Sequence, residues 1–456
     1  MKKRKVSKIA IKITCIFLIL YISFDGFAQT QWSLERCINY AIKNNLQIKQ
    51  SIVDASISKS YHISAKNAYL PTVNATAEEA HTNRRILNFD NSTSNNNYYS
   101  TGGSINGTID LFDGFQKQNN VKVTSLNLQA ALMDVEKLKN DIGLAIASKY
   151  LNLLFLEEVI KYDSSQIKET NNQVERTKEM VIAGTKTQSY LFDIQTQQAQ
   201  DNLTLVLDKA NYRNTTIDLI QLLELKTLDN FSIEKPKNID KLSPIMTNPF
   251  EKYYETAIEL LPEIKSAIFR QKSAQSGINY LKGYSYPRLT FTASVGSNYL
   301  SYASLYGTTA AYRFSSQLSN NLNFYTGLSL RIPIFDGFQT RNAVRNAKYN
   351  EEKASNNIEL VSRQIYKDVQ KAYNNAISSK EKVTSSKVLL DATELSLSYI
   401  TDRLTVGAVS VYDYSQIKTK LAKTNSDYLQ AKYEYIFNVM ILDFYNGKSL
   451  SIQNNN

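Results

Sequence analysis

The chain holds few residues able to do chemistry. Its histidines are His62 and His81, and its cysteines are Cys15 and Cys37. None of the four stands near a nucleophile or carboxylate at a spacing that builds a metal site or a catalytic pair. No glycine-rich phosphate loop occurs, so the chain cannot energise a process by itself. The conspicuous acidic residues sit in a repeated motif, Phe112-Asp113-Gly114-Phe115 and Phe335-Asp336-Gly337-Phe338. Asp-Gly there is turn chemistry: glycine accepts positive φ and aspartate caps the helix that follows. Charge runs such as Glu351-Glu352-Lys353 are solvated helix faces. Nothing in the sequence carries an enzyme, a cofactor or a metal site.

If side chains do no chemistry, the elements that hold them must define the function. Residues 1–28 read as a secretory signal: a basic start from Lys2 to Lys5, an apolar run from Ile13 to Phe24, and small residues at Gly26 and Ala28. That apolar run is shorter than the roughly 20 residues a spanning helix needs. Cleavage after Ala28 leaves Cys37 without a disulfide partner. Removing six basic and one acidic residues from 53 and 42 lowers the net charge from +11 to +6. Such a charge does not imply nucleic acid as a partner.

The chain is duplicated. Residues 109–116 reappear as residues 332–339 at an offset of 223, which also relates Gly184 to Gly407 and Ile194 to Ile417. Upstream the offset is 216, relating Ala41 to Ala257, Ile48 to Ile264 and Pro71 to Pro287. The expected organisation is a first repeat at 29–225, a proline-bearing connector at 226–250, a second repeat at 251–446 and a tail at 447–456.

Within each repeat the periodicity changes twice. Apolar residues recur at helical spacing from Ser33 to Ala68, stopping before Pro71. Period two follows in Val73, Ala75 and Ala77, then in Ile105, Gly107, Ile109 and Leu111. The second repeat alternates at Leu289, Phe291, Ala293 and Val295, then at Leu328, Leu330, Ile332 and Ile334. Such strands have one apolar and one polar face. Asn- and Ser-rich loops are expected at 88–99 and 302–320. Tyr98, Tyr99, Tyr299, Tyr302, Tyr306 and Tyr312 gather at strand ends and loops, where an aromatic belt belongs, tyrosine-rich loops of a soluble sheet being the alternative. After each Phe-Asp-Gly-Phe a long helix is expected, from Gln116 to Ala183 in the first repeat, roughly 100 Å at about 1.5 Å per residue. Gly184 and Gly407 end these helices. Return helices then run from Thr187 to Leu225 and from Ser410 to Asn446, giving two hairpins suited to coiled-coil packing.

Four amphipathic strands cannot close a barrel alone, and a strand edge open to lipid leaves peptide groups unpaired. Two copies give eight strands around a filled interior; three give twelve, which leave a lumen. The order Ala41-Ile42 to Asn44-Asn45, Tyr69-Leu70-Pro71, Phe-Asp-Gly-Phe and glycine-centred helix turn, given twice, resembles the TolC-like outer-membrane factors across nearly the whole chain. The resemblance implies a mostly α protein with membrane β: duplicated long helical hairpins and two β-hairpins, with a trimer forming a 12-stranded β-barrel and an α-helical periplasmic tunnel. It implies a passive outer-membrane duct for efflux or type I secretion, partnered by a periplasmic adaptor and an inner-membrane transporter.

The resemblance also implies roles for particular residues. Ala183-Gly184-Thr185 and Val406-Gly407-Ala408 correspond to the tips that adaptors contact. The chain departs from the commoner pattern in having Ala408 after the second glycine and Val409 where many relatives carry a basic residue. Asp413 corresponds to one of two aspartates at the pore entrance, the second falling on Gln416; its alternative role is a helix-terminal charge favoured by the dipole. A trimeric surface protein or a periplasmic adaptor without channel activity is the competing reading, which the twice-interrupted helices oppose.

Overall fold

The computed structural model describes residues 31–87, 89–226, 231–236, 248–301 and 313–450. The signal segment 1–28, Cys15, Asn88, much of the connector, residues 302–312 with Tyr302, Tyr306 and Tyr312, and the last six residues lie outside this description. In chain order the elements are α1 (Leu34–Asn44), α2 (Leu46–Asn67), β1 (Thr72–Leu87), β2 (Thr93–Phe112), α3 (Gln116–Ile182) and α4 (Gln188–Leu223). They continue with α5 (Phe250–Leu260), α6 (Pro262–Lys282), β3 (Arg288–Leu300), α7 (Phe314–Asn320), β4 (Asn323–Arg331), α8 (Gln339–Thr405) and α9 (Val411–Tyr445). No described helix is long and apolar enough to cross a membrane.

The chain divides into two compact units. One contains residues 51–135 and 262–362 and holds a four-stranded antiparallel sheet in the order β1-β2-β3-β4. Its register sorts side chains by face. Leu330 lies opposite Leu289, Leu328 opposite Phe291, Ile109 opposite Phe291 and Ile105 opposite Val295, all on one face. Thr72 lies opposite Thr108, Asn106 opposite Ser294 and Thr290 opposite Ser329 on the other. A one-residue slip would exchange the faces. Arg288 and Thr290 of β3 hydrogen-bond the Asp110 carboxylate, Arg288 at 3.0 and 2.7 Å, pinning the central pair of strands where they meet the helices.

The other unit contains, of the described residues, those up to 50, 136–261 and 363 onward. Its core gathers Cys37, Ala41 and Ile48 against Ile146, Tyr150, Leu153, Leu219, Leu223, Ile436 and Met440. Part of the connector belongs to this core: Trp32 bridges in parallel to Ile233, and the Tyr150 hydroxyl lies 2.6 Å from the Glu234 carbonyl. Cys37 is fully buried and its thiol is pushed up to about 12 by burial, which keeps it unreactive.

Four local expectations are corrected. The helix expected from Ser33 to Ala68 is two helices, because Asn45 is extended and its side chain accepts from the amides of Gln47 and Ile48, capping α2. The alternation expected to continue to Ile334 ends in strand at Arg331, just ahead of Pro333, which has no N–H for a ladder. The 88–99 loop is shorter than expected, since Thr93 already pairs with Leu87; Asn91, at φ 59, and Asp90, accepting from the Ser92 amide, make the turn. Tyr98 and Tyr99 therefore sit within β2, and Tyr299 near the end of β3, while residues 314–320 form α7.

Candidate functional site

The two strand-to-helix turns are built alike. Gly114 and Gly337 have φ 70 and 67, and the phenylalanines after them, Phe115 and Phe338, are also left-handed at φ 65. Positive φ is uncommon for a bulky residue, and here aromatic packing holds it. Phe112 meets Phe115 edge-on at 5.2 Å, and Phe335 meets Phe338 edge-on at 5.3 Å. Asp113 accepts from the Lys117 amide at 2.9 Å and Asp336 from the Thr340 amide at 2.8 Å, so each carboxylate satisfies an amide in the first turn of a 67-residue helix. Composition pointed to glycine as the left-handed residue. The second such residue, phenylalanine, gives no signal of its own.

At the far ends of these helices the chain turns through Ala183, Gly184 and Thr185, and through Val406, Gly407 and Ala408, all six exposed. Both glycines have φ 73. Thr185 donates to the Met180 carbonyl at 2.9 Å and Gly184 to Val181 at 3.0 Å; Ala408 donates to Arg403 at 2.8 Å and Gly407 to Leu404 at 3.1 Å. Two equivalent Schellman closures result. Beneath them Val174, Leu191, Ile194, Leu404, Val411 and Tyr414 form one apolar cluster, against which Val409 packs. Valine there joins the tips by packing where a basic side chain would add charge.

Asp413 lies in the first turn of α9. Its Oδ2 accepts from the Ser410 amide at 3.1 Å and hydroxyl at 2.6 Å, while the Ser410 hydroxyl accepts from the Asp413 amide. This reciprocal capping box holds the Asp413 carboxyl below the usual carboxylate range, first through Ser410 and last through Arg403. Asp413 is therefore the N3 partner of a helix cap by geometry.

Sequence reasoning missed a polar cluster buried along the helices. Lys418, 4% exposed, reaches Asp201 at 2.9 Å and also contacts Thr170; Gln197 donates to the other Asp201 oxygen at 2.6 Å. Asp163 faces the same small cavity of about 60 Å³, with its Oδ2 buried and without a donor. Thr170 stands 31 positions from Asp201 and 248 from Lys418, and the charged members each read locally as solvated. Only the helix packing brings them together. Among the described residues no group of histidine, cysteine or carboxylates could hold a metal.

A sheet with one apolar face and two open edges, joined by capped turns to long helices that end in paired glycine tips, defines the class: a channel-forming protein of the bacterial outer membrane. A sequence model of the outer membrane efflux protein family matches residues 37–224 and 253–447, and the chain belongs to that family. It is 23% identical to the outer membrane protein TolC of Escherichia coli over 432 residues, covering 92% of this chain and 84% of that one. It is 20% identical to the outer membrane efflux protein BepC of Brucella suis, covering 90% and 84%. The crystal structure of VceC from Vibrio cholerae has the same fold at a TM-score of 0.74 and 14% identity, over 91% of this chain and 96% of that one. The chain is thus an outer-membrane channel subunit with helices in the periplasm, a non-enzymatic duct for efflux or type I secretion.

Proposed function

We propose that three copies of the chain close a twelve-stranded barrel, and that the resulting duct passes substrates delivered through a periplasmic adaptor by an inner-membrane transporter. One observation carries this reading: the sheet stops at β1 and β4, and one of its faces is apolar. In lipid an open edge costs several kcal/mol per unpaired peptide group, so another copy must supply the pairing. Twelve strands are the smallest multiple of four that leaves a lumen. The polar face, with Asn106, Thr108, Ser294 and Ser329, lines the lumen; Leu289, Phe291, Leu328 and Leu330 meet lipid. The exposed glycine tips are the docking places for the adaptor, and three copies of Asp413 ring the periplasmic mouth.

The test is extraction of the full chain from outer membranes in mild detergent, with gel mobility before and after heating and ion conduction in planar bilayers. A heat-modifiable trimer that conducts is expected. A trimer that does not conduct would favour the surface-protein reading, and a stable monomer would exclude both.

A further inference from the structure

The internal repeat assigns how neighbouring copies fit together. The two hairpins obey one register: carrying β1 forward by 216 and β2 forward by 223 turns the pair Thr72–Thr108 into Arg288–Arg331, which is the observed first pair of β3 with β4. The repeats are therefore superimposable strand by strand. The contact between them within the chain, β2 with β3, then has one missing counterpart, β4 with the β1 of another copy. Within the chain β2 and β3 pair as Ser104 with Gly296 and Asp110 with Thr290. Carrying β2 forward by 223 and β3 back by 216 sets Gly327 opposite Ala80 and places Leu330 opposite Ala77 and Ser329 opposite Glu78.

A second observation agrees independently. On β4 the apolar face is Phe324, Leu328 and Leu330, and on β1 it is Val73, Ala75 and Ala77. The derived register puts these on the same side, whereas a slip of one residue would put Leu330 on the polar face of its neighbour. Arg331 falls opposite Thr76, diagonal to Glu78 on the same face, an attractive pairing.

A third observation concerns the turns. Within the chain the Gly114 turn is covered by the end of α6 and the residues after it: a Cβ at Gly114 would stand 2.9 Å from Tyr286 Cβ, and Phe115 meets Tyr286 edge-on at 6.4 Å. A Cβ at the equivalent Gly337 would meet nothing within 4 Å. Phe335 and Ile334 are 74% and 96% exposed there, against 37% and 55% for Phe112 and Leu111. Beside it runs a groove of about 590 Å³ lined by Tyr284, Ile334, Phe335, Phe338 and Arg341. The residues equivalent to Gly283 and Tyr286 are Asn67 and Leu70, and Leu70 is 63% exposed. Asn67 has a Cβ that Gly283 lacks, so the approach of its backbone to Gly337 is less close and needs this extra room.

We propose that β4 of one copy pairs antiparallel with β1 of the next in the register Ser329 to Glu78 and Leu330 to Ala77, and that residues 67–71 of that neighbour fill the groove beside Gly337. The inference rests on the trimeric reading and specifies its seam. Directly opposed residues in an antiparallel pair have Cβ atoms about 4.5–5.5 Å apart, close enough for cysteines to bridge with little movement.

The test uses the full chain in the outer membrane, with Cys37 retained because it is buried. Ser329→Cys with Glu78→Cys, and Leu330→Cys with Ala77→Cys, are compared with the slipped pairs Ser329→Cys with Ala80→Cys and Ser329→Cys with Thr76→Cys. After mild oxidation the in-register pairs should give a reductant-sensitive band at three protomer masses in boiled detergent samples, at least tenfold above the slipped pairs. Phe338→Cys with Leu70→Cys should link through a short bis-maleimide. Cross-linking of a slipped pair at equal or greater yield, or no link at all in a chain that still forms the heat-modifiable trimer, would overturn the register. A bis-maleimide failure alone would remove the groove docking, and a chain that forms no trimer would defeat the oligomeric reading itself.

Discussion

Asp163 shows how a single side chain can set the response of a helical bundle to pH. Its carboxyl is pushed up to about 7, first by burial, then by the hydrogen bond and charge of Asp208 and by the charge of Asp201. Two facing carboxyl groups can hydrogen-bond only through a shared proton. The folded chain therefore holds a proton that the unfolded chain gives up near 3.8. This contribution to stability is complete below 3.8, falls as pH rises, and is lost above about 7. Asp163→Asn should flatten the dependence, with melting temperature little changed at pH 4 and raised at pH 8 by the equivalent of about 1–3 kcal/mol. An equal shift at both values would show that Asp163 does not titrate in this range. Asp413 has the opposite sign: its carboxyl is held down by Ser410, so the cap is charged at neutral pH and is lost as pH falls below 3.8. If three copies also ring the mouth, Asp413→Ala should reduce cation preference in bilayers and Asp413→Lys should reverse it, an effect screened over about 10 Å at 0.1 M salt. Unchanged selectivity in both variants would leave Asp413 as a cap alone.

At the scale of elements, the glycine tips separate assembly from docking. Gly184 and Gly407 are left-handed and nearly empty-sided: a Cβ at Gly184 meets nothing within 4 Å and one at Gly407 only Lys186 at 3.9 Å. Gly→Val at either site thus costs backbone strain of about 1–3 kcal/mol without a steric clash. Pull-down of the adaptor should weaken while the heat-modifiable trimer persists; the reverse order of sensitivity would refute the docking role. Long elements were the most legible in sequence. The helix read from Gln116 to Ala183 ends one residue earlier, at Ile182, because glycine and aspartate mark its limits chemically. The break at Asn45 was hidden because asparagine is tolerated inside a helix, and its capping role depends on burial against the Leu222 carbonyl at 2.9 Å. The start of β2 was hidden too, since Thr93 to Asn97 have weak strand propensity and pair only because β1 offers its edge. The Lys418 cluster was illegible for a third reason. Its members lie on three helices, α3, α4 and α9, and local periodicity contains no information about which polar faces meet.

For the whole molecule, strand length fixes which end of the sheet leaves the membrane. β1 has 16 residues, roughly 54 Å at about 3.4 Å each, more than the apolar band of about 25 Å that lipid requires even when strands tilt. The apolar alternation lies where the strands meet the helices, at Val73 to Ala77, Ile105 to Leu111 and Leu289 to Val295. The other ends, His81 to Arg85 and Thr93 to Asn97, are polar and lead to the Asp90–Ser92 turn. Polar strand ends without helices belong outside the cell, and α3 and α8, which follow the strands at their apolar ends, belong in the periplasm. Ser92→Cys should therefore react on intact cells with a bulky polyethylene-glycol maleimide that cannot pass the duct. Thr185→Cys should react only after the outer membrane is permeabilised. The reverse pattern would invert the topology. Labelling of Thr185→Cys in both conditions would place the tips outside, where a periplasmic adaptor could not reach them.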